Sequence, residues 1–256
     1  MKNILSIFRR EVLSFFVSPI AYFVITGFVL LGAYFFIMLL QYFDLALAEF
    51  ARMPRMGGPV PNLNQWVVEG YYQTLLVILV FLVPLLTMRT IAEERHRGTY
   101  ELLATSPLSI FEIVLGKFFG VAFVVVLMAL LVAAFPLLLC IWGNPEVKPI
   151  LSGLLGMVLF GLSFASIGMA VSSFTENQIV AAVSSMVTLL LLYMIHSPAQ
   201  SLGGMGADIL MYLSPVIQVR DMMRGVISLK AVVYFFSLIS LGLFLSQRAL
   251  DAQRWR

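Results

Sequence analysis

The sequence predicts an all-α integral membrane protein with six transmembrane helices, and three observations support this. Hydrophobic residues make up 61% and charged residues 11% of the 256 residues. The mean hydropathy of +0.99 is far above that of soluble domains. Charge-free windows recur at about the 20-residue length that a helix needs to cross a bilayer. We therefore expect a single transmembrane domain over residues 1–256.

Residues 1–18 predict an interfacial helix with one apolar and one polar side. Helical spacing places six apolar residues on one arc: Ile4, Leu5, Phe8, Val12, Phe15 and Phe16. The opposite arc carries Ser6, Arg9, Arg10 and Ser14, with Ile7 and Leu13 as exceptions. Ser18-Pro19 predicts a turn into the first span. The alternative is that these residues simply begin that span.

The predicted spans follow from the apolar windows. They are 20–40, 71–88, 118–141, 150–171, 179–195 and 231–247. The first is longer than the roughly 7–15 apolar residues of a cleaved signal peptide, so we expect it to remain as an anchor. Small residues in the fourth span (Gly161, Ala165, Gly168 and Ser172) predict close helix packing.

Two further segments are predicted on the outer side. Loop 41–70 is rich in proline and glycine around position 57, which favours irregular backbone. The apolar run 209–219 is too short to cross and contains Ser214-Pro215. It predicts a pair of short re-entrant helices within segment 196–229, before the last span. Nearby Arg220, Asp221 and Arg224 are interpreted as interfacial anchors.

Lys and Arg residues predict the orientation. With six spans, both termini share a side with loop 89–117, and that side carries ten of the 16 basic residues. The positive-inside rule makes it cytoplasmic. A five-span alternative would place the C-terminus outside. The net charge of +3 fits this loop bias, so no nucleic-acid partner is predicted.

The sequence contains no group suited to catalysis within the membrane. Cys140 is the single cysteine, so no disulfide or cysteine-based metal cluster can form within one chain. The predicted spans hold no deep ionisable residue, which disfavours ion-coupled carriers and membrane enzymes. We predict no catalytic, cofactor-binding or metal site in this chain.

Segment 89–109, between the second and third spans, is the most charged part of the chain. Gly98 is predicted to end the second-span helix, and Thr99 to begin a short helix. Ser109 and Glu112 form a capping-box pattern flanked by Leu108 and Ile113, so the third helix is predicted to begin near Ile110. Its first turns, to about Lys117, are expected in water or headgroups.

This segment resembles the permease subunits of ABC-2-type exporters. The matching positions, in order, are Arg89, Ala92, Glu93, Glu94, Gly98, Thr99, Glu101, Leu102, Leu103, Pro107, Gly116 and Lys117. The six-span layout and the short helices are also similar to that family. Within it, residues 214–236 are similar to a branch associated with gliding motility and nitrous-oxide-reductase maturation.

The resemblance implies a protein that responds to ATP without binding it. ATP and Mg would bind in two copies of a cytoplasmic ABC ATPase, and a second permease, identical or paralogous, would complete the pore. The near-match to a phosphate-binding loop at Gly116-Lys117 fails, because Phe118 stands where a Ser or Thr is needed. The chain is therefore expected to be a non-enzymatic subunit of a bacterial inner membrane exporter.

The resemblance also implies a coupling helix at 94–104 that contacts the ATPase. Its interface residues would be Arg89, Glu93, Glu94, Arg97, Gly98, Thr99, Glu101, Leu102 and Leu103. Glu93, Glu94 and Arg97 are candidates for charge-assisted contacts, with Glu101 as a further polar contact. Alternatively, the charges form a solvated face in which Glu93 and Arg97 are an ordinary i,i+4 pair.

A second function is open at this point. The permease could pass ATP-driven motion to an extracytoplasmic accessory subunit, in a mechanical or assembly role, rather than move a solute. Neither the substrate nor the identity of the second permease follows from the sequence.

Overall fold

The computed structural model describes residues 2–52, 61–96, 98, 108–142, 145–198 and 204–254. Over these ranges the chain is helical and has no β-strand, which confirms the all-α prediction. The helices are α1 Lys2–Val17, α2 Pro19–Arg52, α3 Gly70–Thr87, α4 Ala92–His96, α5 Ile110–Trp142, α6 Val147–Ser173, α7 Gln178–Met194, α8 Gly204–Leu213, α9 Pro215–Met223 and α10 Leu229–Arg254. A π-helix, Asn64–Glu69, leads directly into α3.

Five helical segments in these ranges are long and apolar enough to cross a membrane. They contain α2, α3, α5, α6 and α10, which coincide with five of the six predicted windows. The remaining window, 179–195, falls on α7, which has 17 residues. At about 1.5 Å per residue such a helix is shorter than the roughly 30 Å of hydrocarbon. The chain is a multi-pass membrane protein, and the six-span layout stays a prediction.

Helix α1 is separate from α2, as the Ser18-Pro19 turn predicts. The Ser18 hydroxyl accepts a hydrogen bond from the Ile20 N–H (3.3 Å) and caps the new helix. Contrary to the predicted apolar arc, Ile7 lies in the buried face of α1, which packs on α5. The two helices approach at Gly116, where an added Cβ would lie 2.7 Å from the Ile7 Cβ.

Helix α2 continues well beyond the predicted window at 20–40. It extends to Arg52, since Ala, Leu and Glu in its last turns are strong helix formers. The predicted irregular loop at 41–70 is therefore helical at both ends. Residues 53–60, which carry most of its glycine and proline, lie outside the described ranges.

Helix α3 ends at Thr87, about three turns before Gly98, so the predicted end at Gly98 is wrong. The Thr90 hydroxyl donates to the Thr87 carbonyl (2.7 Å), and a turn separates α3 from the short helix α4. Gly98 follows α4, has φ of 70°, and its N–H donates to the Arg95 carbonyl (2.9 Å). The glycine therefore has the predicted left-handed role on a different helix.

The predicted start of the third long helix is confirmed. Helix α5 begins at Ile110. The Ser109 N–H donates to the Glu112 carboxylate and the Glu112 N–H donates to the Ser109 hydroxyl, both at 3.2 Å. Leu108 packs against Ile113 and Ile7. These contacts form a complete capping box with its apolar staple.

Helix α6 is the central helix of the described fold and packs against α3, α5, α7, α9 and α10. Its small residues allow the close approach that the sequence predicts. A Cβ at Gly161 would lie 2.7 Å from a Val125 methyl, and one at Gly168 would lie 2.5 Å from the Thr87 hydroxyl. The Ser172 hydroxyl accepts from the Ala92 N–H (3.3 Å) and so joins α6 to α4.

The two short helices before the last span are present as α8 and α9. The break falls at Ser214-Pro215, and the Ser214 hydroxyl accepts from the Ile217 N–H at 3.5 Å. Helix α9 packs against α6 and α10. The described residues form two short helices at this position, and their re-entrant placement stays a prediction.

Candidate functional site

Lys117 is the centre of a buried group of charges at the start of α5. Only 1% of Lys117 is exposed. The sequence predicts that the first turns of α5, to about Lys117, lie in water or headgroups. The expectation does not hold for Lys117, because α1 covers this side of α5, whereas Phe111 at the start of the helix is exposed. The ammonium group lies 2.9 Å from a Glu94 oxygen and 3.5 Å from a Glu11 oxygen. It also donates to the Thr90 carbonyl at 2.6 Å.

These contacts match what a buried ammonium group requires. It has three N–H donors and three acceptor groups around it. A buried charge is tolerated only where it is paired and hydrogen-bonded, and removal of one partner is strongly destabilising. Lys117 therefore joins α1, the α3–α4 turn, α4 and α5 through buried contacts.

Glu94 extends the group towards the surface. Its second oxygen accepts from the Arg10 guanidinium at 2.7 Å. In the order Arg10, Glu94, Lys117, Glu11 the charges alternate, and they sum to zero when all four groups are ionised. We call these four residues the Lys117 cluster.

Glu11 is a functional candidate that the sequence analysis missed. It lies on the buried face of α1 with Ile7 and Phe15, one turn away on either side. Burial raises the pKa of Glu11 above its ordinary value, although Lys117 favours the ionised form. The i,i+4 spacing of a carboxylate between two large apolar residues was the available signal.

Two glycines of α5 allow α1 to reach Lys117. A Cβ at Gly120 would lie 2.7 Å from the Glu11 side chain, and one at Gly116 would meet Ile7 at the same distance. The two positions are one turn apart and flank Lys117 in the sequence. The absence of side chains there brings the Glu11 carboxylate within reach of the ammonium group.

Arg89 and Glu93 form a second pair beside the cluster. The Arg89 Nε lies 2.7 Å from a Glu93 oxygen, and the guanidinium also donates to the Ser18 hydroxyl. Glu93 thus pairs with the residue four positions before it, whereas the sequence also allowed a pair with Arg97, four positions after it. The contact with Ser18 connects the end of α3 to the α1–α2 joint.

The structure places four of the nine predicted interface residues. Arg89, Glu93, Glu94 and Gly98 lie together around α4, and the first three have contacts within the chain. The other five lie outside the described residues: Arg97, Thr99, Glu101, Leu102 and Leu103. Most of the predicted helix 94–104 is outside them as well, so a direct contact with an ATPase stays a prediction.

A second group of charges lies at the other end of α3. The buried Glu69 carboxylate accepts from the Arg224 Nε at 3.0 and 3.1 Å and from the Gln73 amide at 3.3 Å. Arg220 lies 3.8 Å away. We call Glu69, Arg220 and Arg224 the Glu69 cluster. Arg224, interpreted from sequence as an anchor, therefore has a partner 155 positions away.

Two cavities flank the Glu69 cluster. One of about 300 Å³ is lined by Glu69, Glu146 and Arg224 among others. The other, about 480 Å³, lies between α3, α7 and α9 and is lined by Gln73, Tyr193 and Arg220 among others. The arginines of this cluster therefore border open space, unlike Lys117. The described residues contain no group of His, Cys, Asp or Glu that could hold a metal ion.

Comparisons with known proteins found similar curated proteins and a matching family. Two curated proteins, from Escherichia coli strain K12 and Escherichia coli O157:H7, are each 26% identical to this chain over 209 residues. Both are named "Probable multidrug ABC transporter permease YbhR". The matched region covers 76% of this chain and 52% of each relative, so the chain spans about half their length. The profile of the family described as "ABC-2 family transporter protein" matches residues 50–246. The chain belongs to the ABC-2 transporter family.

Proposed function

We propose that this chain is the membrane subunit of an ATP-binding cassette exporter. In this proposal the Lys117 cluster transmits the action of a separate ATPase from segment 89–109 to α1 and α5. The observation that carries it is the burial of Lys117 between Glu11 and Glu94, which belong to different elements. Family membership supports the transport class.

Separating the buried charges of this cluster is costly. Coulomb attraction is several times stronger in a protein interior than in water, so moving Glu94 away from Lys117 is costly where no water can replace it. A force on α4 is therefore passed to α5 through Lys117 and to α1 through Arg10 and Glu11. Direct contact of Glu94 with the ATPase is not needed for this role.

The remaining parts of the assembly are proposed from the family. ATP and Mg bind in two copies of an ABC ATPase on the cytoplasmic side, where both termini also lie. A second permease, identical or paralogous, completes the pathway in a bacterial inner membrane. Helix α7 makes the sixth crossing, with the turn at 195–198 completing its length. The exported substrate is not identified by this geometry.

The alternative, a mechanical or assembly role with an extracytoplasmic partner, stays a prediction. It shares the ATPase and the Lys117 cluster but requires no solute pathway. Accumulation of a solute in sealed vesicles with the reconstituted complex supports export. Full ATPase stimulation with no solute movement across a broad substrate panel favours the alternative.

The test of the coupling role is the Glu94→Gln variant, which keeps the size of the side chain and removes its charge. We expect stimulation of the ATPase by the permease to fall about fivefold or more, the lower end of typical coupling energies. Membrane insertion and copurification with the ATPase should be retained. The measurement is the ATP hydrolysis rate of the reconstituted complex.

Glu176→Gln is the matched control. Glu176 is an exposed carboxylate in the loop between α6 and α7, which is predicted on the same side of the membrane. We expect that variant to stimulate the ATPase as the parent does. Normal stimulation by Glu94→Gln, or an equal loss in both variants, would contradict the proposal.

A further inference from the structure

An apolar groove lies between α1 and α5. Its volume is about 690 Å³, within the range of roughly 300–1,000 Å³ typical of ligand sites. Residues that line it include Leu5 and Phe8 of α1 and Phe119, Ala122 and Phe123 of α5. The Phe8 and Phe123 rings meet edge to face at 6.2 Å. The α5 side of the groove belongs to a helix long enough to span the membrane.

Arg9 does not line this groove, but helical spacing places it beside Leu5, which does. It follows Leu5 by one helical turn and precedes Leu13 by one turn, so the three share a side of α1. Leu5 is 65% and Leu13 is 56% exposed. Arg9 is also exposed, and the described part of the chain gives it no carboxylate partner. Its neighbour Arg10 differs, because Arg10 pairs with Glu94.

A cation between exposed apolar side chains has a specific requirement in a membrane protein. The apolar neighbours favour acyl chains, whereas the guanidinium needs water or an anion. Guanidinium groups bind phosphate through paired N–H donors. An acyl groove beside a phosphate-binding cation matches the chemistry of one molecule, a phospholipid with net negative charge.

We propose that the α1–α5 groove and Arg9 form a binding site for an anionic phospholipid. One acyl chain lies against Phe8, Phe119 and Phe123, and the phosphate contacts Arg9. The site does not depend on the proposed transport role. A lipid bound there would cover the groove side of α1, the helix that encloses Lys117.

The test uses a tryptophan reporter in the full-length chain in lipid vesicles. Trp66, Trp142 and Trp255 are replaced by Phe, and Phe119→Trp, an exposed position, places the reporter in the groove. Vesicles of phosphatidylcholine contain a small fraction of brominated phosphatidylglycerol or of brominated phosphatidylcholine. We expect the anionic lipid to quench at about fivefold lower mole fraction, as typical for one basic residue at a membrane surface.

Two variants separate the site from general charge attraction. Arg9→Gln should remove the preference for phosphatidylglycerol. Arg248→Gln, which removes an exposed cation from α10, should retain it. A second reporter, Phe236→Trp on the exposed face of α10, should show no preference and verifies that each variant is inserted.

The remaining outcomes overturn the proposal. Equal quenching by the two lipids in the parent means that the groove holds lipid without selecting the headgroup. Absence of quenching by both means that a protein surface covers the groove. Loss of the preference on addition of free glycerol phosphate means that Arg9 binds the phosphate group alone. Under the proposal, millimolar free glycerol phosphate leaves the preference unchanged.

Discussion

The Lys117 and Glu69 clusters lie at opposite ends of α3 and differ in what they bury. In the first, the buried centre is a cation, and its partners Glu11 and Glu94 are themselves largely enclosed. In the second, the buried centre is a carboxylate, and its partners are 47% and 58% exposed at Arg224 and Arg220. Within the Lys117 cluster only Arg10, the outermost member, is comparably exposed, at 52%. The buried charge at one end of α3 thus has buried partners, whereas at the other end both partners are exposed.

The comparison shows how similar ion pairs can have different mechanical roles. Separating charges in an enclosed cluster leaves them without water, so the connected helices are held together. At the Glu69 cluster, water can replace an arginine that moves away, so the α3–α9 contact can open at lower cost. We infer a firm connection near the proposed ATPase side and a yielding one at the far end.

The largest expected effect comes from removing the buried cation. Lys117→Met keeps an unbranched side chain but leaves Glu11 and Glu94 near each other without their shared partner. We expect the free energy of unfolding to fall by about 3–5 kcal/mol, the range for breaking a buried pair. Thermal unfolding in detergent micelles measures it. Lys148→Met, at an exposed position of α6, is the control, and equal melting temperatures for the two variants would contradict the enclosed cluster.

A glycine substitution tests whether the cluster depends on close contact of α1 with α5. Gly116→Ala forces Ile7 to move, and overpacking of this kind costs about 1–3 kcal/mol. Gly27→Ala is the matched control, because it lies in helix α2 with no atom within 4 Å of the added Cβ. Alanine favours the helix there, so we expect equal or higher stability. The measurement is the melting temperature of each variant. We expect a lower value for Gly116→Ala than for Gly27→Ala, and the reverse order would contradict the close contact of α1 with α5.

The Glu69 cluster should be less sensitive than the Lys117 cluster. Arg224→Gln leaves Arg220 within 3.8 Å of Glu69, and water has access to the site. We therefore expect the free energy of unfolding to fall by about 1 kcal/mol. Arg220→Gln should cost less, because Arg220 is more exposed and more distant. A loss for Arg224→Gln as large as that for Lys117→Met would remove the contrast between the two ends.

The smallest expected effect is a pH dependence of stability caused by Glu11. Because the folded pKa of Glu11 is raised, the folded state gains relative stability at low pH and loses it as pH rises through that pKa. The groups that face Glu11 are Lys117, Glu94 and Arg10. Glu11→Gln removes this loss, so its melting temperature relative to the parent should rise as pH increases from about 4 to about 8.

Glu176→Gln serves as the control for this comparison, since Glu176 is exposed. The difference in melting temperature between Glu176→Gln and the parent should stay constant over the same pH range. A constant difference for Glu11→Gln as well would show that Glu11 does not titrate in this window.

Local chemistry made much of the fold predictable. The capping box at Ser109 and Glu112, the Ser18-Pro19 turn and the break at Ser214-Pro215 each depend on residues within a few positions. The end of α3 was missed, because the Thr87–Thr90 hydrogen bond and contact with α6 end the helix earlier than Gly98 indicates.

The site was less predictable, because its contacts are distant in sequence. Glu94 was identified as important, but its partners Arg10 and Lys117 come from other helices. Burial of Lys117 depends on α1 lying against Gly116 and Gly120, which no short window reveals. Glu11 could have been suspected from its position between Ile7 and Phe15 on one helical face.

The most direct test of the Lys117 cluster as a transmitting unit is a double-mutant cycle between Glu94→Gln and Lys117→Met. The measurement is ATPase stimulation by the reconstituted permease, below the melting temperature of every variant. If the two residues act as a unit, the double variant loses no more stimulation than the stronger single variant. Losses that multiply independently would show that the two charges do not act together and would contradict the account.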